Sequence, residues 1–219
     1  MKVGPLFLLL VLSGATAPGQ STAPTPADAI THSSAIGFSF SLPADWQVAD
    51  SPAPAAASTL KQPVKPNAMS QDQQRGLTCA QVAFTGRRGD PASAIVVVQI
   101  PFVCLGEAAT AKDLPGLAQG ASAQLREQFN FAATAQHSYS LGSHSMWVQR
   151  SRGTQKAGSK KPHTVEIVCT ILKNGAVCWM VIAPDDVSLS EFEQGQVALE
   201  QDTPTALVPP KAFSNNPTP

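Results

Sequence analysis

The chain has 219 residues, 43% hydrophobic and only 14% charged, so a core can be buried while polarity comes from Ser, Thr, Gln and Asn. Fifteen Lys plus Arg balance fifteen Asp plus Glu, which excludes a nucleic-acid binder that works by overall charge. Collagen-like, heptad and strongly acidic patterns are absent.

One positive charge at Lys2 precedes an apolar run from Val3 to Leu12, interrupted only by Gly4 and Pro5, and small residues follow at 13–17. That is the order of a secretory signal peptide. The run is about ten residues, half of the roughly 20 a membrane-spanning helix needs. Pro18 follows the nominal Ala15-x-Ala17 site, so cleavage near Gly19 or Gln20 is the alternative. Residues 1–20 are expected to be removed. The mature protein would then be exported, periplasmic or extracellular, with no membrane span, and its cysteines would enter an oxidising space.

Pro, Ala, Ser and Thr dominate 21–27, and again 51–65 with its APAAAS and KQPVKP runs. Such stretches lack the periodic apolar residues that offset ordering entropy. The expected organisation is a linker over 21–35, a single domain over 36–200 with a Pro/Ala-rich insert at about 50–73, and a Pro-rich tail over 201–219.

Within the domain the period is mostly two. Phe38, Phe40 and Leu42 alternate with Ser39 and Ser41, and Pro43 ends that strand. Ala80, Val82 and Phe84 form the next, broken by Thr85 to Pro91. Ile95 to Ile100 is almost continuously apolar, as in a strand covered on both faces. Leu114, Leu117, Ala118, Ala121, Leu125 and Phe129 then mark a helical stripe, with Asp113 as its N-cap. Tyr139 and Leu141 lead through a tight turn at Gly142-Ser143 into His144 to Arg152. Val165, Ile167, Cys169 and Ile171 share a face. Asn174-Gly175 is a hairpin signal, returning as Ala176 to Ala183. A second helix is expected over about Leu189 to Leu199, with Ser188 and Glu191 in a capping-box pattern. Short turns between neighbouring strands imply an antiparallel sheet, and the class is α+β.

The segment Gly37-Phe38-Ser39-Phe40-Ser41-Leu42-Pro43-Ala44-Asp45-Trp46 resembles the G-F-S-F-x-x-P-x-x-W entry of PsbP-like and Mog-like domains. The order of elements from about Ile36 to Leu199 is similar too. The resemblance implies an antiparallel β-sheet flanked by two main helices, a PsbP-like α/β/α sandwich, and a non-enzymatic role. It carries over no active-site motif, and Mn, Ca or Ran binding does not transfer, because no matching ligand set is present.

Cys79, Cys104, Cys169 and Cys178 allow three pairings, and their order favours Cys79 with Cys104 and Cys169 with Cys178. Register bears on the second pair. With Asn174-Gly175 as a two-residue loop, the two sulfurs share a face but sit diagonally, roughly 6–8 Å apart at Cβ. With Lys173-Asn174 as the loop they are directly opposed, as a disulfide requires. A three-residue loop would put them on opposite faces. A structural role is expected, since no C-x-x-C spacing exists.

The four histidines, His32, His137, His144 and His163, show no i, i+3 or i, i+4 pair, so neither a metal site nor a cofactor is expected. Ser143-His144-Ser145 lacks the G-x-S-x-G setting of a hydrolase. Trp46, Trp147, Trp179 and Tyr139 sit on alternating strands and read as core. Arg150, Arg152, Lys156, Lys160 and Lys161 carry no acid between them, and Gly153, Gly158 and Ser159 place most of them on a flexible hairpin loop. They are the candidate anion-binding residues, and a solvated strand-edge loop is the plainer account. The acids at Asp185, Asp186, Glu191, Glu193, Glu200 and Asp202 need no ligand, those in the first helical turn serving the helix dipole.

The sequence therefore points to an exported, non-enzymatic binding or assembly domain of the cell envelope. Its partner would be an anionic envelope component or another envelope protein, not nucleic acid. The rival is a hydrolase-like or other enzyme with a dispersed site around His144, Ser145 and Glu166. Denatured, non-reduced mature protein is expected to show no free thiol on titration; two or more would overturn the oxidised, exported reading.

Overall fold

The computed structural model describes residues 30–34, 36–42, 45–50, 80–89, 92–105, 108–157 and 160–209. The expected signal peptide, the centre of the insert and the last ten residues lie outside these. So does Cys79, and with it the expected bond to Cys104.

In chain order the elements are β1 (Ile30–Ser34), β2 (Phe38–Leu42), β3 (Gln47–Asp50), β4 (Gln81–Arg88), β5 (Ser93–Pro101), a short α1 (Phe102–Leu105), a 3-10 turn (Ala111–Asp113) and α2 (Leu114–Arg126). Then follow β6 (Phe129–Leu141), β7 (His144–Gln155), β8 (Pro162–Leu172), β9 (Gly175–Ala183), α3 (Asp186–Glu193), β10 (Gln196–Leu199) and β11 (Thr205–Ala206). Seven strands form one antiparallel sheet in the order β3-β4-β5-β9-β8-β7-β6, and four form a smaller one, β1-β2-β10-β11. The class is α+β.

The large sheet has an apolar layer on each face. Val165, Ile167 and Cys169 of β8 and Cys178 and Met180 of β9 pack under Leu114, Ala118 and Leu125 of α2. On the opposite face Val168, Val177, Trp179 and Val181 meet Phe38, Phe40 and Leu42 of β2, Leu189 and Phe192 of α3, and Val197 and Leu199 of β10. Strands 8 and 9 are buried almost throughout, which is why their apolar residues run on without clean alternation. The two main helices thus lie on opposite faces, but α3 shares its face with the four-stranded sheet, which the simple α/β/α sandwich lacks.

Several boundaries differ from the sequence expectation. Strand β1 lies within the stretch read as a linker and pairs with β2, Ile30 opposite Leu42. Leu207 and Val208, in the stretch read as a tail, are buried. The second helix ends at Glu193, not near Leu199. Gly195 follows the C-cap Gln194, at a position where a Cβ would come within 2.9 Å of both the Phe192 carbonyl and the Phe40 ring. Beyond it, Val197 and Leu199 follow a period of two and pair with Phe40 and Phe38. The N-cap is Asp185, whose Oδ1 accepts from the Ser188 amide at 2.7 Å, three residues before the expected Ser188. Asp113 closes the 3-10 turn, accepting from the Thr110 amide at 2.7 Å. Phe129 opens β6 and is no part of the helical stripe.

The β8–β9 hairpin turns at Lys173-Asn174, with Leu172 opposite Gly175 and Cys169 opposite Cys178. Gly175 is therefore a strand residue. Its lack of a side chain answers to β5, because a Cβ would sit 2.7 Å from the Ile100 carbonyl oxygen and 3.2 Å from the Pro101 Cα. Counting from this turn, Cys169 and Cys178 form a non-hydrogen-bonded pair, the closer kind. Their Cα atoms are 4.2 Å apart and they form a disulfide. Gly175→Ala is expected to lower stability by about 1–3 kcal/mol in urea unfolding, whereas Asn174→Ala should stay within about 0.5 kcal/mol.

Candidate functional site

Two groups of charged side chains stand out among the described residues, one holding α3 and one at the end of the β7–β8 hairpin. The first begins with Glu166. It alternates with Val165 and Ile167, so it points to the face that α3 covers, and it is fully buried there. Arg150, opposite it on β7, reaches its Oε2 through Nε at 2.9 Å and Nη2 at 2.8 Å. The same Nη2 meets Glu193 at the end of α3. Arg152 pairs with Asp186, which also accepts from the Thr164 hydroxyl at 3.0 Å. Arg88 donates to Glu191 at 2.6 Å and Asp45 at 3.1 Å, with its guanidinium 5.6 Å from the centre of the Trp46 ring. Each acid within α3 is thus held by an arginine from the large sheet.

Two carboxylates around one arginine leave an excess negative charge in a dry place. Burial first, and then the neighbouring Glu193, push Glu166 well above the ordinary glutamate range, against the opposing pull of Arg150. Its Oε1 meets no donor among the described residues. Burial, with Glu166 and Glu193 adding to it, also pushes the Tyr139 phenol up; its hydroxyl donates to the Leu207 carbonyl at 2.6 Å. The backbone hydrogen bond from Ser188 holds Asp185 below its usual range.

The second set lies where β6 starts and β7 ends. Phe129 pairs with Gln155, which brings the end of α2 beside the hairpin loop. Lys156 Nζ donates to the Arg126 carbonyl at 2.6 Å, completing the helix C-terminus with a cation. Lys160 Nζ approaches the Lys156 carbonyl at 3.4 Å. His163 Nδ1 lies 3.0 Å from the Lys161 carbonyl, and its ring packs 6.0 Å from that of Phe129. Arg126, Lys156, Lys160 and Lys161 are all exposed, with Glu127 as the adjacent acid. Beside them is an open cleft of about 330 Å³ lined by Arg126, Phe129, Asn130, Phe131 and Thr134.

The five expected anion-binding residues therefore separate. Lys156, Lys160 and Lys161 stand at the hairpin end, while Arg150 and Arg152 lie within strand β7 and turn to α3. Gly153 too is a strand residue, where a Cβ would sit 2.8 Å from the Asn130 carbonyl. Arg126 joins the hairpin cations from α2. Its basic side chain in the last helical turn was visible in the sequence, but its meeting with a loop 30 residues later was not.

The residues of the rival reading do not come together either. His144 and Arg150 are six residues apart on one strand, so His144 and Glu166 are separated by roughly 20 Å. His144 Nδ1 lies 3.4 Å from the Ile171 carbonyl, and Nε2 lies 3.6 Å from Asp202. Ser145 gives its carbonyl to the Thr170 hydroxyl at 2.8 Å. A second cleft, about 360 Å³, adjoins them and includes Gly142, Leu199, Asp202 and Thr205. Trp46 and Trp179 are buried core, and Trp147 is half-buried on the α2 side.

No family model matches the chain, and no curated protein matches it. Among solved structures, the solution structure of cyanobacterial PsbP (CyanoP) from Synechocystis sp. PCC 6803 aligns over 78% of this chain and 89% of its own, at 11% identity and a TM-score of 0.40.

Because Glu166 binds its proton more tightly in the folded than in the unfolded chain, its contribution to stability is complete below the ordinary glutamate range. It is lost as pH rises toward the raised folded value. The difference in unfolding free energy between wild type and Glu166→Gln should therefore shift in favour of the variant as pH rises above about 4.5. The slope should approach about 1.4 kcal/mol per pH unit. Parallel pH profiles of the two proteins would refute the assignment.

Proposed function

We propose that this chain is an exported, non-enzymatic binding domain of the cell envelope, of PsbP-like organisation, that engages an anionic surface through the hairpin end of the large sheet. The observation that carries the reading is the gathering of Arg126, Lys156, Lys160 and Lys161 at one exposed rim beside a cleft with aromatic walls. Four exposed cations on one rim raise the local concentration of anions. The half-buried Phe131 beside them offers a flat apolar surface, which suits a sulfated or phosphorylated glycan better than a bare ion.

The same inventory weighs against the dispersed enzyme. Glu166, which would have to act as acid or base, lies shut behind Arg150 and α3. His144 stands far along the strand from it. Export is supported by the charged, apolar and small-residue order of the first 17 residues and by the Cys169–Cys178 disulfide.

On a heparin column the mature protein is expected to be retained at low ionic strength and released by salt. Lys160→Glu with Lys161→Glu should elute at clearly lower salt, and Arg126→Ala should move in the same direction. Unchanged elution of both would remove the proposal. Export is tested separately, by release of a processed, thiol-free product on osmotic shock.

A further inference from the structure

His163 stands at the basic rim, and histidine is the side chain whose charge ordinarily changes between about pH 5 and 8. It lies near the start of β8, two residues after Lys161 and opposite Gly153 of β7, and it is half-buried. Its ring sits 6.0 Å from that of Phe129 at an angle of 72°, and Phe129 lines the cleft beside the rim. Nδ1 lies 3.0 Å from the Lys161 carbonyl oxygen. A carbonyl only accepts, so Nδ1 carries a hydrogen in either charge state of the ring. The neutral ring is therefore the Nδ1–H tautomer, and Nε2 is the atom that gains or loses a proton. Among the described residues Nε2 has no hydrogen-bond or ion-pair partner.

The charged groups around the ring are mostly of one sign. Lys156, Lys160 and Lys161 come from the β7–β8 loop, and Arg126 and Glu127 from the end of α2. Phe129 and Asn130 of β6 and Gly153 of β7 add no charge. Arg152, next on β7, turns to the other face and pairs with Asp186, while Asp185 caps α3 through the Ser188 amide. A proton on Nε2 therefore finds no paired carboxylate among the described residues. It adds a fifth cation to the rim and turns an acceptor into a donor.

We infer that His163 is the pH-responsive contact of the basic rim: protonated, its Nε2–H donates to a sulfate or phosphate oxygen of the bound glycan, so the rim holds that glycan more tightly in acid. The inference rests on the rim being the glycan site proposed above. No movement of the protein is required, because the Nδ1 bond and the contact with Phe129 place the ring in both charge states. Arg126 and the three lysines are charged throughout this range and hold the ligand at neutral pH. One more partly exposed charge pair is worth about a two- to fivefold gain in affinity.

The test is retention of the full mature chain on heparin at about pH 8 and about pH 5.5, a range over which Lys, Arg and sulfate esters keep their charges. His137 lies along β6 roughly 25 Å from Phe129, and His144 lies farther still. Both are well beyond the Debye length of about 8 Å, and His32 is on the small sheet. The wild type should need more salt for elution at the lower pH, with about a two- to fivefold gain in affinity at fixed salt. His163→Asn keeps an amide donor in place of Nδ1 and cannot titrate. It should elute with wild type at the higher pH and lose most of the gain at the lower. A second reading needs no variant and decides if His163→Asn does not fold. Followed by NMR, the His163 ring should titrate at higher pH with heparin present, by the logarithm of the affinity ratio. Equal wild-type elution at both pH values overturns the inference and leaves the glycan reading standing. So does a folded His163→Asn that keeps the full gain, or a ring titration that heparin does not move. Absence of retention at either pH removes both.

Discussion

Phe40 ties the structure together. It belongs to the small sheet, yet its fully buried ring lies 5.5 Å from that of Phe192 in α3 and 6.2 Å from those of Phe84 in β4 and Trp179 in β9. One side chain thus joins both sheets and the helix between them. Phe38 supports it, edge-on to Trp179 at 5.4 Å. The close approach of the Phe40 ring leaves room only for glycine at position 195, between the end of α3 and the start of β10. Burying rings of this size contributes on the order of 2–3 kcal/mol each, and their edge-to-face and tilted geometry adds to that.

The polar groups follow from that packing. Once α3 lies across the large sheet, its acids face arginines on β4 and β7, and Glu166 is sealed beneath it. Exposed ion pairs of the Arg152–Asp186 kind contribute little, on the order of 0–1 kcal/mol. The group of Glu166, Arg150 and Glu193 is different, since breaking a buried pair leaves a charge with no solvent. Its value is positional. It ties the end of α3 to β7 and β8 through one arginine.

Much of the fold was legible in the sequence because burial there follows a period. Phe38, Phe40 and Leu42, the α2 stripe from Leu114 to Leu125, and the shared face of Val165, Ile167, Cys169 and Ile171 all fell where the structure has them. What escaped had the wrong local signal. Asn174-Gly175 looked like a turn because glycine commonly serves turns, whereas Gly175 serves a neighbouring strand that no local pattern reveals. Val197 and Leu199 also fit a helical stripe, and only contact with Phe40 decides against it. Ile30 to Ser34 gain their order from β2 and not from their own composition. The basic cluster was visible as a charge run, but strand alternation turns Arg150 inward, and the opposing Glu166 is readable only once the β7–β8 register is known.

The Cys169–Cys178 bridge spans two strands that already hydrogen-bond to each other, and it lies under Leu114 and Ala118 with almost no exposure to water. No oxidant or reductant reaches those sulfurs while α2 is seated. The link must therefore be made while the hairpin is still uncovered, and the helix closes over a finished bond. Thereafter the thiol chemistry of this hairpin depends on lifting α2, so the helix, more than the surrounding medium, governs whether the bridge can be undone.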